Sequence, residues 1–237
     1  MGKLKSVVLK ELEAYFFSPV AYVVFAIFLS ITGYFFYVIV SMNKFAMMLP
    51  IFDNMAALLM FALPLLTMKL INEERNNGTF ELLLTTPLSP ATIILGKFIA
   101  CMVVVTVLLA LTLHYPCLLK TYAPELDMGP IWSGYFGLWL LSAAFTAVGI
   151  FASSVTGTQV TAAILSFAIL LFFQLISLAS HFMDTYLGEV ISSMSLLQNF
   201  FLFTRGILAT GNIIYFVTFT FIWLFISVRI LESEAWR

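Results

Sequence analysis

The chain has 237 residues, of which 62% are hydrophobic and 10% charged, and its formal net charge is −1. Soluble globular domains carry about 25% charged residues, so this composition excludes a soluble fold and demands an apolar surrounding. Without a net positive field, nothing selects nucleic acid as a partner. Long charge-free stretches recur from end to end, which predicts one all-α polytopic membrane domain over residues 1–237.

Residues 1–18 open the chain as an amphipathic segment. Leu4, Val7, Val8, Leu12, Tyr15 and Phe16 fall at helical spacing, with Lys3, Ser6, Lys10 and Glu13 largely on the other side. Such a helix suits the headgroup layer, and Pro19 stops it. Glu11 and Glu13 precede the first apolar run, which ends in bulky residues (Tyr37 to Val40), so we expect no removable signal peptide.

A helix needs roughly 20 apolar residues to cross a hydrocarbon layer of about 30 Å. Six runs meet that need, approximately 20–42, 53–71, 92–119, 131–153, 158–180 and 210–230. Helices are required because an open sheet would leave backbone groups unpaired in lipid. In the second run Pro64 predicts a kink near Ala62, or else a start shifted toward Phe45. Gly134, Gly137 and Gly149 in the fourth run predict close helix packing, inside the bundle or against a second protomer.

Between the fifth and sixth runs, residues 181–209 are too apolar for an ordinary loop. Leu196–Phe203 is too short to span, which predicts short re-entrant or interfacial helices, with a marginal seventh span as the alternative. Lys3, Lys5, Lys10, Lys69, Arg75, Lys97, Arg229 and Arg237 fall on one side of this topology, and Lys44, Lys120 and Arg205 on the other. The excess of basic residues places both termini in the cytoplasm.

Signatures of catalysis are missing. The GxxxxGK[ST] phosphate loop, HExxH, CxxC and GxSxG patterns do not occur. Cys101 and Cys117 lie about 24 Å apart along a helix, too far for a disulfide. His114 and His181 do not suggest a haem pair, and His181, Asp184 and Glu189 are not spaced to share one face as metal ligands. Thr106, Thr112, Ser142, Thr146, Thr161, Ser166 and Gln174 within the runs are expected to hydrogen-bond to backbone or across helices.

The loop between the second and third runs is the most informative stretch. It reads from Asn72 through Glu73, Glu74, Arg75, Gly78 and Glu81 to Leu82, Leu83 and Leu84, and ends at Pro87 and Pro90. Charges before Gly78 and an apolar triplet after Glu81 predict a short amphipathic helix over 72–85. A helix of that kind offers a charged and apolar knob for a separate motor domain to grip.

Glu73, Arg75, Gly78, Thr79, Glu81, Leu83, Leu84, Thr86, Pro87, Leu88, Ser89 and Pro90, followed by Gly96-Lys97, closely resemble a motif of the ABC-2-type permease family. Lys10-Glu11, Ser18-Pro19, Ala147 to Ser153, Phe203-Thr204-Arg205-Gly206-Ile207, and Arg229 to Glu232 with Trp236 extend the likeness to a gliding-motility-associated subgroup. That subgroup often carries an acidic residue shortly after Ile207, where this chain has Ala209-Thr210.

The resemblance implies six spans, an N-terminal connecting helix, a coupling helix at 72–85, and re-entrant helices before the last span. It further implies a membrane-spanning permease of the bacterial inner membrane, driven by two copies of a separate ABC ATPase. ATP and Mg²⁺ would be bound by that ATPase and no cofactor by this chain. The other implied partners are a second permease protomer, like or unlike this one, and a membrane subunit with a large extracytoplasmic domain. Glu73, Glu74, Arg75, Gly78, Glu81, Leu82, Leu83 and Leu84, with Lys5 and Glu11, are the implied ATPase interface. Phe200, Phe203 and Arg205 are the implied outer gate. A non-transporting scaffold or force-transmitting subunit is the alternative, and an intramembrane enzyme or haem subunit lacks the residues it would need.

Overall fold

A computed structural model describes residues 2–43, 48–76, 78, 88–122, 127–180 and 194–235. All regular structure among these residues is helical: α1 (Gly2–Phe16), α2 (Pro19–Asn43), α3 (Leu49–Thr67), α4 (Lys69–Asn76), α5 (Pro90–Leu111), α6 (His114–Tyr122), α7 (Gly129–Val155), α8 (Gln159–Ser180), α9 (Leu196–Thr204) and α10 (Thr210–Ala235). Local chemistry sets several of the ends. Ser89 and Ser195 cap α5 and α9, their hydroxyls accepting from the backbone N–H groups of Thr92 and Gln198.

Among the described residues, five stretches are long and apolar enough to cross a membrane: Pro19–Ser41, Leu49–Asn76, Pro90–Thr121, Gly129–Val155 and Thr210–Ser233. The run expected over 158–180 falls on α8, whose described apolar part is the shorter Gln159–Leu175.

α7 is the axis of the bundle. It packs against α3, α4, α5, α8, α9 and α10, and 83% of its most apolar stretch is buried, against 17% for α2 and 22% for α10. The small residues expected to allow close approach do so inside the bundle. A Cβ on Gly149 would lie 2.7 Å from Thr67 Cβ in α3, and one on Gly137 would lie 2.6 Å from Phe203 Cβ in α9.

α3 starts at Leu49, ahead of Asp53 and toward Phe45, which is one of the two sequence alternatives. Two other boundaries differ from the sequence reading. α3 runs through Pro64 and ends at Thr67, and the chain turns at Met68. The Met68 N–H closes back on the Pro64 carbonyl at 3.0 Å, so the turn keeps its hydrogen bonding. The third run is broken at Thr112 into α5 and α6. The Thr112 carbonyl accepts from Tyr135 Oη at 2.9 Å, a partner in α7 that takes the place of a continued helix. Both cysteines are free thiols. Of the polar residues within the runs, Thr106, Thr112, Ser142 and Thr161 donate to backbone carbonyls of their own segments.

Candidate functional site

α4 is an eight-residue helix, and successive side chains on it point about 100° apart. Its three consecutive charges are therefore sent three ways. Glu73 is exposed, Glu74 turns inward, and Arg75 reaches sideways and is half-buried.

Glu74 meets a chain of charges that runs from exposed Lys10 to buried Lys97 and Glu11. Lys97 Nζ lies 3.0 Å from Glu74 Oε2 and 2.8 Å from Glu11 Oε1, while Lys10 Nζ lies 2.9 Å from Glu74 Oε1. Lys97 is 1% exposed, Glu11 7% and Glu74 9%. Three separate helices supply the parts, with Lys10 and Glu11 on α1, Glu74 on α4 and Lys97 near the start of α5. Signs alternate along the chain Lys10–Glu74–Lys97–Glu11, so two cations and two anions cancel. A lone buried charge costs several kcal/mol, and the two carboxylates at 2.8 and 3.0 Å compensate the Lys97 ammonium. Burial alone would lower the Lys10 pKa, but its bond to Glu74 and the field of Glu11 outweigh burial and hold it above the usual 10.5.

The close fit of α1 on α5 delivers Glu11 to Lys97. A Cβ on Gly96 would stand 2.6 Å from Val7 Cγ1, so only glycine admits α1 at this distance. Part of the α1 apolar face expected to dip into the headgroup layer is thus covered by α5. Tyr15 completes the seat, donating from Oη to the Leu66 carbonyl of α3 at 3.1 Å.

On its other side α4 holds the end of α7. Arg75 Nη2 donates to the Ser154 carbonyl at 2.9 Å and Nη1 to the Thr156 carbonyl at 3.2 Å. Asn72, fully buried, donates from Nδ2 to the Thr158 carbonyl at 3.2 Å and to Thr156 Oγ1 at 3.3 Å. Ser153 Oγ accepts from the Ile71 N–H at 3.2 Å. Carbonyls at a helix C-terminus lack intrahelical donors, and α4 supplies them. One short helix therefore grips α1 and α5 on one side and the α7–α8 turn on the other.

The residues marked by sequence are distributed accordingly. Glu73 and Lys5 are exposed, and Gly78 is exposed with φ +68°. Glu11 and Glu74 face Lys97, and Arg75 faces α7. Of the stretch expected as a helix over 72–85, only the end of α4 (Lys69–Asn76) and Gly78 are among the described residues. Glu81, Leu82, Leu83 and Leu84 lie outside the described residues, as do His181, Asp184 and Glu189. Phe200 and Phe203 are wholly buried against α7, where Ser133 Oγ donates to the Phe203 carbonyl at 2.7 Å. Arg205 is exposed and borders a groove with Asp127, Trp132 and Leu208. Asn72 and Lys97 were missed as functional groups. A lysine inside an otherwise apolar run was the available signal, because such a charge requires a partner.

A search among curated proteins found no match to the chain. A family model described as ABC-2 family transporter protein matches residues 16–206, from the end of α1 to the glycine that closes α9. The match takes in α4, Lys97 and the α7–α8 turn, and the apolar helices make the chain a multi-pass membrane protein. Together with the charge-bearing loop after the second run, this shows that the chain belongs to the ABC-2 transporter family.

Proposed function

We propose that this chain is the membrane-spanning permease subunit of an ABC transporter, and that it moves in response to ATP hydrolysed by a separate ATPase subunit. The observation that carries the reading is the buried Lys97 shared by Glu11 and Glu74. A motor protein gripping the exposed Glu73 side of α4 and the outer side of α1 near Lys5 pulls on two helices tied together through Lys10 and Glu74. Through Lys97 that pair is joined to α5, and through Arg75 to the end of α7. Movement of α4 thus reaches both spans without an intervening flexible loop. To be useful, the ATPase must discriminate two arrangements of the bundle by several kcal/mol.

In this reading α8 is the fifth of six spans, α1 is the connecting helix at the inner membrane surface, and α4 with the segment after it is the coupling element. Both termini are cytoplasmic. α9 is a re-entrant helix on the opposite side, with Arg205 at its exposed end and Phe200 and Phe203 as the anchors that a gating motion displaces. ATP and Mg²⁺ belong to two copies of the ATPase. The largely unburied α2 and α10 meet lipid and a second protomer. The Phe203 to Ile207 motif favours the gliding-motility-like subgroup, whose members work beside a subunit with a large extracytoplasmic domain.

Purification of the chain from its native host in mild detergent tests the reading. A Walker-type ATPase is expected to co-purify with the wild type, and to be lost from an E73A variant combined with alanines at Leu82 to Leu84. If no ATPase associates under any condition, the permease reading is wrong.

A further inference from the structure

Beside the charge cluster, the elbow between α1 and α2 faces the elbow between α3 and α4 across a cleft of about 560 Å³. Its size falls within the range of about 300–1,000 Å³ typical of ligand pockets. Position is the first clue to its occupant. α2 begins at Pro19 and α3 ends at Thr67, so the cleft lies at the polar limit of two membrane spans. Its lining is split by polarity, with Lys69 and Glu73 on α4 and Phe17, Val20 and Leu65 toward the spans. Phe17 is 86% exposed and Leu65 43%, an apolar bed open to acyl chains.

Charge is the second clue. Lys10, Glu11, Glu74 and Lys97 border the same cleft but are committed to one another and sum to zero. That leaves Lys69, half-buried, and Glu73, exposed. Neither makes a hydrogen bond or ion pair with any described residue, although they stand one helical turn apart on α4. The cleft therefore offers one cation and one anion, about 5–6 Å apart at their Cβ atoms. Anionic lipids are recognised by clusters of several basic residues, which this is not.

We propose that the cleft binds a zwitterionic aminophospholipid, its phosphate on Lys69, its amine on Glu73 and an acyl chain along Phe17 and Leu65. The site does not depend on an ATPase docking on α4, and its test is read with no ATPase present, so either reading can fail alone.

The full-length chain, purified and stripped of native lipid, is titrated with dioleoylphosphatidylethanolamine or dioleoylphosphatidylglycerol, and bound lipid is counted by native mass spectrometry. Wild type is expected to retain one phosphatidylethanolamine at concentrations where phosphatidylglycerol is not retained. K69Q and E73Q should each weaken retention about tenfold, the effect of losing one charged hydrogen bond. Both should unfold at the wild-type temperature, because neither side chain has a partner to lose among the described residues. The K69E/E73K exchange restores the complementary pair and should recover binding. Equal retention by K69Q or E73Q, or retention of phosphatidylglycerol as strong as that of phosphatidylethanolamine, would overturn the proposal. Competition by soluble glycerophosphoethanolamine at equal concentration would do the same, since it would leave the apolar bed without a role.

Discussion

Lys97 Nζ stands 2.8 Å from Glu11 Oε1, and 86 residues of sequence separate the two. The pair fixes α1 to α5, and Glu74 at 3.0 Å from the same ammonium adds α4. Replacing Lys97 with Met removes the shared cation and leaves two carboxylates facing each other out of water. Removal of one partner from a buried ionic set costs about 3–5 kcal/mol. Lys97→Met is therefore expected to lower stability by that amount in detergent unfolding measurements. Adding Glu11→Gln and Glu74→Gln to it should recover most of the loss, because no unpaired charge then remains out of water; Lys10, which loses Glu74, is exposed. A loss below about 1 kcal/mol for Lys97→Met alone would instead describe a solvated pair.

How far the sequence foretold this arrangement depends on the range of the interaction. The apolar runs were legible because each is decided by its own composition, and the α7 axis was legible from Gly134, Gly137 and Gly149. The break at Thr112 was not legible, because its partner Tyr135 comes from another helix. The turn at Met68 was not foreseen: Pro64 suggested a kink near Ala62 or an earlier start, and α3 does start early, at Leu49, and runs on through Pro64. At the candidate site, Glu11 and Glu74 were assigned to an ATPase interface, with no sign that they would meet Lys97. Only the packing of Val7 on Gly96 brings Glu11 to Lys97, and no local pattern encodes that contact. Arg75 was identified as functional, but its direction, toward the Ser154 and Thr156 carbonyls, depends on where α7 ends.

That direction gives a second expectation. The Arg75 guanidinium divides its donors between two carbonyls at the end of α7, at 2.9 and 3.2 Å. A lysine has a point charge and no planar fork, so it cannot hold both with the same geometry. Arg75→Ala should cost about 1.5–3 kcal/mol, the range for hydrogen bonds to a charged group, and Arg75→Lys less. Hydrogen exchange should locate the loosening in α4 and in the α7–α8 turn. Loosening confined to α1 would contradict the geometry.

The outermost member of the charge chain is expected to respond to alkali. Burial opposes the charged form of Lys10, yet Glu74 at 2.9 Å and the nearby Glu11 prevail and raise its pKa above 10.5. A raised folded-state pKa means that the contribution is fully present below the unfolded value and fades as pH climbs through the folded one. The stability difference between wild type and Lys10→Met should thus be flat through neutral pH and shrink only above about 10.5. Thermal unfolding of the two proteins across a pH series measures it. A difference that collapsed near pH 7 would assign the linkage to another group.

Close packing of α3 on α7 is tested at Gly149. A methyl group there would stand 2.7 Å from Thr67 Cβ, and Thr67 is already fixed by a 2.8 Å hydrogen bond from Oγ1 to the Leu63 carbonyl. Neither helix can yield easily, since both are buried at this level. Gly149→Ala should cost about 1–3 kcal/mol, the range for overpacking a filled core. Thr67→Ala in the same chain should return part of that loss by vacating the hydroxyl position. Simple additivity of the two single losses would show that the side chains do not meet.

The end of α9 depends on a backbone conformation. Gly206 has φ +84°, its N–H donates to the Phe203 carbonyl, and the Ile207 N–H donates to the Leu202 carbonyl, both at 3.0 Å. These two bonds form a Schellman closure, which needs a left-handed residue at this position. Any side chain with a Cβ pays about 1–2 kcal/mol to adopt it, asparagine less than others. A Cβ would also lie 3.3 Å from Pro130 Cγ at the start of α7, which adds a tight contact to the strain. Gly206→Ala should therefore lower the unfolding temperature more than Gly206→Asn. The damage should appear first where α9 leans on α7, at the bond from Ser133 to the Phe203 carbonyl. If alanine and asparagine are equally harmful, the Pro130 contact sets the cost; if neither is harmful, α9 closes by some other means.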